Sequence, residues 1–108
     1  MEHQFILSGA STKEERYREF LSQFESLVRD VDDEIAVLAN AAAALCEAFG
    51  FFWVGFYRVK GDCLILGPFQ GSVACYRIKK GKGVCGTAWE QGHTIVVPDV
   101  DKFPGHIA

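Results

Sequence analysis

Nine residues, Phe51 to Val59 (FFWVGFYRV), constrain this chain more than any others. An aromatic and β-branched run of this kind suits a pleated, half-buried surface and predicts a strand. Lys60-Gly61-Asp62 then turns the chain into a second strand, Cys63–Leu66, which makes an antiparallel hairpin. Alternation places Phe52, Val54 and Phe56 on one face and Trp53, Gly55 and Tyr57 on the other. Two large aromatics flanking a residue with no side chain outline a hollow, one way to make a pocket for an apolar group. A glycine lying at a bulge or under another element, with both aromatics in the core, is the commoner use of the same pattern.

Two helices precede the hairpin, and one of its faces must be covered by the second. Ser11 followed by Glu14 fits a capping box. Tyr17, Phe20, Leu21, Phe24, Leu27 and Val28 then form an apolar stripe at helical spacing, which serves a core or a dimer interface. Arg29–Asp33 breaks that helix and places acids at the positive end of the next. The second helix runs from about Asp33 to Phe49, with Ile35, Leu38, Ala42, Leu45, Cys46 and Phe49 on one face and Gly50 as the C′ residue. Ala41–Ala44 permits close approach, most simply by a sheet, and Cys46, mid-stripe, is expected to be buried and inert. Residues 1–10 read as an arm or a short first strand, and residues 11–108 as a single domain.

Beyond the hairpin, Gly67-Pro68-Phe69-Gln70-Gly71 is expected to end the second strand in a turn, because proline cannot donate to an interior ladder. Val73–Ile78 reads as a third strand and Lys79–Gly83 as a loop. Val84 to Trp89 begins a short helix, which ends at Gln91-Gly92-His93. Thr94–Val97 is expected to be a further strand, stopped by Pro98, and Asp99 and Asp101 take a loop role. The class is α+β.

A net charge of −3 argues against nucleic acid or an anionic membrane as the main partner. Arg77, Lys79, Lys80 and Lys82 cluster on one turn, but no aromatic or arginine ladder accompanies them as single-strand binding requires. Residues 1–16 have neither an apolar signal core nor a transit pattern, and no apolar run is long enough to span a bilayer. The expected location is therefore the cytoplasm, where four cysteines act as core residues or working thiols rather than a disulfide framework. No Cys/His spacing suits zinc, so no metal is expected, and Gly-Lys-Gly lacks the Walker spacing.

Two cysteines stand apart. Cys85 follows two glycines and a valine at a predicted helix start, where unpaired N–H groups and Lys80 and Lys82 favour the thiolate. Such a thiolate is a nucleophile, and a pairing with Cys75, ten residues earlier and across a turn, is sterically possible where the Cα atoms come within about 7 Å. For an arbitrary pair, two small buried hydrophobes is the commoner state. His93 and His106 lie in loops and could supply a Cys–His pair, which nothing in the spacing specifies.

The order of elements resembles a GAF domain. Trp53-Val54-Gly55-Phe56-Tyr57, Leu66-Gly67-Pro68-Phe69-Gln70-Gly71, Ala74-Cys75-x-Arg77-Ile78 and Gly81-x-Gly83-Val84-Cys85-Gly86-Thr87-Ala88 are similar to the free methionine-(R)-sulfoxide reductases. Asp99-Val100, Phe103 and Gly105-His106-Ile107-Ala108 continue the match. The resemblance implies an antiparallel sheet with two N-terminal helices packed on one face and a short helix after the third strand. It implies a thiol-dependent oxidoreductase of the oxidative-stress response, with Cys75 and Cys85 as thiols of the exchange and Trp53 and Tyr57 walling the methyl end of free methionine sulfoxide. No bound cofactor is implied, since thioredoxin supplies the reducing equivalents. In that family a third cysteine directly follows the Gly-His-Ile-Ala segment and the pocket carboxylates fall on later strands, so the chain is expected to be a piece of a reductase with little turnover of its own. A non-catalytic GAF module, binding a small molecule or forming a homodimer through its first helix, is the competing expectation.

Overall fold

The computed structural model describes residues 5, 7, 9 and 12–105. They fall into two compact units, residues 1–56 with 67–72 and residues 57–66 with 73–108. The elements in order are α1 (Lys13–Val28), α2 (Glu34–Phe49), β1 (Val54–Lys60), β2 (Cys63–Gln70), β3 (Arg77–Lys79), α3 (Gly83–Gln91) and a 3-10 turn at Val100–Lys102. This is the expected α+β class, with a three-stranded sheet in the order β1-β2-β3 among the described residues.

In the first unit both helices begin at side-chain caps. Thr12, not Ser11, caps α1 by accepting from the Glu15 N–H at 3.2 Å, and Ser11 itself lies outside the described residues. Asp33 caps α2 through the Ala36 N–H at 2.9 Å, and Gly50 closes it in the left-handed region at φ 69°. A left-handed C′ residue satisfies an orphan carbonyl at no Cβ cost, here that of Cys46 at 2.8 Å. The stripe of α1 converges on Phe20, which is 5% exposed. Its ring lies 5.1 Å from Phe5, 5.8 Å from Phe24 and 5.5 Å from Phe49. Ala42 and Ala44 are buried on α2, whereas Leu21 and Ile35 remain exposed at the margin of the stripe. Cys46 is half-buried rather than buried, because its thiol turns to the Phe51 carbonyl at 3.2 Å.

The expected strand at Phe51–Val59 begins three residues late. Phe52 sits in a bend at 89% exposure, so the alternation that put it on a covered face does not hold there. Strand β2 runs through Gly67-Pro68 to Gln70, where a turn was expected. The reason is geometric. The Leu66 N–H points towards Tyr76, with a 2.9 Å bond to its carbonyl, and alternation sends the nitrogen of Pro68 to the same side. Strand β3 does not extend that far, so no donor is called for.

In the second unit β2 and β3 pair antiparallel, with Cys63 opposite Lys79, Leu64 opposite Ile78 and Ile65 opposite Arg77. Leu64 and Ile78 form the buried centre at 5% and 8% exposure. Strand β3 is only three residues long, against the six expected from Val73 to Ile78, so Cys75 lies in irregular chain two residues before it. Thr94–Val97 is not a strand: it is irregular, no strand among the described residues pairs with it, and Val96 is 85% exposed. Asp99 has a local task, capping the 3-10 turn by accepting from the Asp101 N–H at 3.1 Å.

Candidate active site

The basic glycine-rich turn before α3 is built around close backbone packing. Gly81 and Gly83 hold φ values of 81° and 64°, a region side chains disfavour. The turn is tied by Gly81 N–H to the Gly86 carbonyl at 2.9 Å and by Lys82 N–H to that of Lys79 at 3.1 Å. Gly86 is buried in the first turn of α3, and a Cβ there would stand 2.5 Å from the Lys79 carbonyl oxygen. Three glycines thus let the start of α3 lie against the end of β3, and this places Cys85 as the third helical residue.

Cys85 reaches solvent. Its surroundings nonetheless desolvate the sulfur, and that burial pushes the thiol above its ordinary pKa. This corrects the expectation of a thiolate favoured by the helix start and its lysines. Lys80 is turned elsewhere, its ammonium 5.0 Å over the Trp89 ring. A raised thiol pKa leaves little thiolate at neutrality, so alkylation of Cys85 by iodoacetamide is expected to be slower at pH 7 than that of an unstructured cysteine. The rate should climb about tenfold per pH unit and level off only above the ordinary thiol range. A plateau reached below pH 8, followed by peptide mass spectrometry, would contradict this.

Tyr57, on β1, is tied to the segment that carries Cys75. Its hydroxyl donates to the Cys75 carbonyl at 2.8 Å. Burial pushes its phenol up, and thiolate charge at Cys75 and then at Cys85 pushes it the same way. The sequence pattern offered Tyr57 only as an aromatic wall. Its link to Cys75 spans 18 residues and has no local signal. All four cysteines are in the thiol form. Cys63, which carried no assignment, has the Arg77 guanidinium 4.0 Å from its sulfur.

Trp53 belongs to the first unit and does something other than border a hollow. Its indole stacks on Phe69 at 5.4 Å and 17°, and its N–H donates to the Ser72 carbonyl at 3.0 Å. The ring lies over both Gly55 and Gly71: a Cβ at Gly55 would collide with the indole and with Phe69, and one at Gly71 would stand 2.6 Å from Trp53 Cδ1. The space over Gly55 is filled by the tryptophan itself, so the glycine-under-another-group reading holds there. The nearest ring nitrogen of His93 sits 3.0 Å from the Thr94 carbonyl, and His106 lies outside the described residues, so no Cys–His pair is assembled among them. Those residues contain no cluster of His, Cys, Asp or Glu suited to a metal, and no helix long and apolar enough to cross a membrane.

No protein-family model matches the chain. It is 59% identical over 98 residues to GAF domain-containing protein A of Dictyostelium discoideum, covering 90% of this chain and 62% of that protein. It is 43% identical over 109 residues to free methionine-R-sulfoxide reductase of Saccharomyces cerevisiae, covering 94% of this chain and 61% of that one. Among solved structures, free methionine-R-sulfoxide reductase from Neisseria meningitidis, in complex with its substrate, superposes with a TM-score of 0.90 at 56% identity. That match covers 98% of this chain and 64% of the other. The chain spans about three fifths of the length of the curated relatives it matches.

Proposed function

We propose that this chain, a GAF-fold relative of the free methionine-R-sulfoxide reductases, carries paired thiols that reduce free methionine-(R)-sulfoxide. The observation that supports this best is the likeness in sequence and fold to those reductases, beside a hydrogen bond from Tyr57 to the Cys75 carbonyl at 2.8 Å. One thiolate attacks the sulfoxide sulfur, the sulfoxide oxygen takes up a proton from solvent and passes to the cysteine, and methionine leaves with a cysteine sulfenic acid behind. The second thiol condenses with that sulfenic acid, expelling water and closing a disulfide. A dithiol protein of the thioredoxin type then reopens the disulfide by exchange and is itself oxidised. No bound cofactor enters this scheme. Tyr57 supplies aromatic surface for the methylthio end of the substrate, and a cytoplasmic location fits chemistry that needs a reducing partner.

The test is NADPH consumption coupled through thioredoxin reductase and thioredoxin, with free methionine-(R)-sulfoxide as substrate. This chain is assayed beside a form of the relatives' full length. Sulfoxide-dependent consumption by the full-length form supports the reading. Its absence, with substrate binding retained, would leave a non-catalytic binding module as the better account.

A further inference from the structure

Residues 48–89 hold six cations, Arg58, Lys60, Arg77, Lys79, Lys80 and Lys82, against one acid, Asp62. The sheet sorts four of the six onto one face. Strand β1 ends at Lys60 and β2 starts at Cys63, with Gly61 between them at φ 62°. A two-residue loop of that kind sets Lys60 opposite Cys63, and so Arg58 opposite Ile65. Strand β3 continues both rows, with Lys79 opposite Cys63 and Arg77 opposite Ile65. Opposed residues share a face, so Arg58, Ile65 and Arg77 form one row, and Lys60, Cys63 and Lys79 form another about 7 Å along the strands. The Arg77 guanidinium reaches from one row to the other, 4.0 Å from the Cys63 sulfur. On the opposite face Ile78 is buried and meets α3 at Gly86, whereas Arg77 and Lys79 on either side of it are exposed. None of the four cations is in an ion pair among the described residues. Arg58 is half-buried, and its Nε is buried with no hydrogen-bond partner among them. Desolvating a guanidinium without a counter-charge is costly, so this face holds positive charge that the described fold leaves uncompensated.

We propose that this face binds a short phosphate chain, with Arg58 and Arg77 as its principal ligands and Lys60 and Lys79 beside them. Two strand spacings set the two arginine backbones about 10 Å apart, a gap that their long side chains can close on an anion lying over Ile65. Guanidinium forks match phosphate oxygens in pairs, and the ammonium groups of the next row take further charge. A monovalent anion engages only part of such a strip, whereas a triphosphate chain carries several charges over a comparable span. The helix that bears Cys85 packs on the other face, so this site stands apart from the thiol chemistry.

The test is calorimetric titration of the full chain with inorganic triphosphate at fixed ionic strength, beside Arg58→Gln, Arg77→Gln and Lys102→Gln variants. Circular dichroism checks folding, and the exposed Arg77 keeps the test decisive if Arg58→Gln does not fold. Each arginine variant is expected to bind about tenfold more weakly, the effect of one lost charge-assisted contact. Lys102→Gln makes the same charge change outside the sheet and is expected to stay within about twofold of the parent chain. Bound triphosphate is expected to slow alkylation of Cys63 severalfold and to leave that of Cys46, on α2, unchanged. Adenosine triphosphate separates two sources of the ligand: equal affinity assigns the phosphate chain alone, and tighter binding assigns a nucleotide. Four results overturn the proposal: no triphosphate binding, equal losses in all three variants, unchanged Cys63 alkylation at saturation, or equal binding of the tricarboxylate citrate.

Discussion

Replacing either Cys75 or Cys85 with serine is expected to lower sulfoxide-dependent turnover of the full-length form by about a thousandfold or more, because a hydroxyl is neither an effective nucleophile here nor a disulfide partner. Serine is close to cysteine in size, so the fold is retained and the loss is chemical. A single-turnover experiment then separates the two roles. A variant lacking the attacking thiol releases no methionine. One lacking the resolving thiol releases about one equivalent per chain and then accumulates a sulfenic acid that dimedone traps. Steady turnover in both variants would exclude this pair as the redox centre.

The second large effect is structural. In an ordinary helix interior, exchanging glycine for alanine stabilises by roughly 1 kcal/mol. At Gly86 the sign is expected to reverse, because the new Cβ would stand 2.5 Å from the Lys79 carbonyl oxygen, a backbone atom that cannot rotate away. Gly86→Ala should cost about 1–3 kcal/mol, as overpacked sites generally do, and Gly86→Val more. Because α3 must move off β3 to relieve the contact, Cys85 moves with it. Urea unfolding midpoints for the two variants measure the cost. A midpoint raised by alanine would show that the helix and strand are less tightly apposed than these distances require.

Much of the architecture is readable locally. The caps at Thr12 and Asp33 and the glycine at position 50 announce α1 and α2 within a residue or two, because capping and left-handed termination depend on a few neighbouring atoms. The strands were harder. Residues 73–76 have strand-like composition but no partner along most of their length, and pairing rather than composition decides where β3 starts. Pro68 looked like a stop signal because the sequence does not reveal that the side it faces is already unpaired.

The site divides in the same way. The two cysteines stood out by position and by resemblance. The thiol of Cys85 went against the local argument, since desolvation that only the folded chain creates pushes it up and Lys80 turns to Trp89 instead. Tyr57's hydroxyl meets a carbonyl 18 residues away, a relation fixed by the path of β1 and the segment before β3.

Trp53, Gly55 and Gly71 share one volume, so their substitutions are not independent. The indole occupies room that two other positions have given up. A smaller residue at 53 would free only part of the space at 55, because the Cβ of Phe69 would still stand 2.5 Å from a methyl group there. Position 71 gains nothing from the exchange, because its φ of 132° keeps it glycine whatever its neighbours become. In a collection of related sequences, 55 and 71 should both stay glycine even where 53 varies.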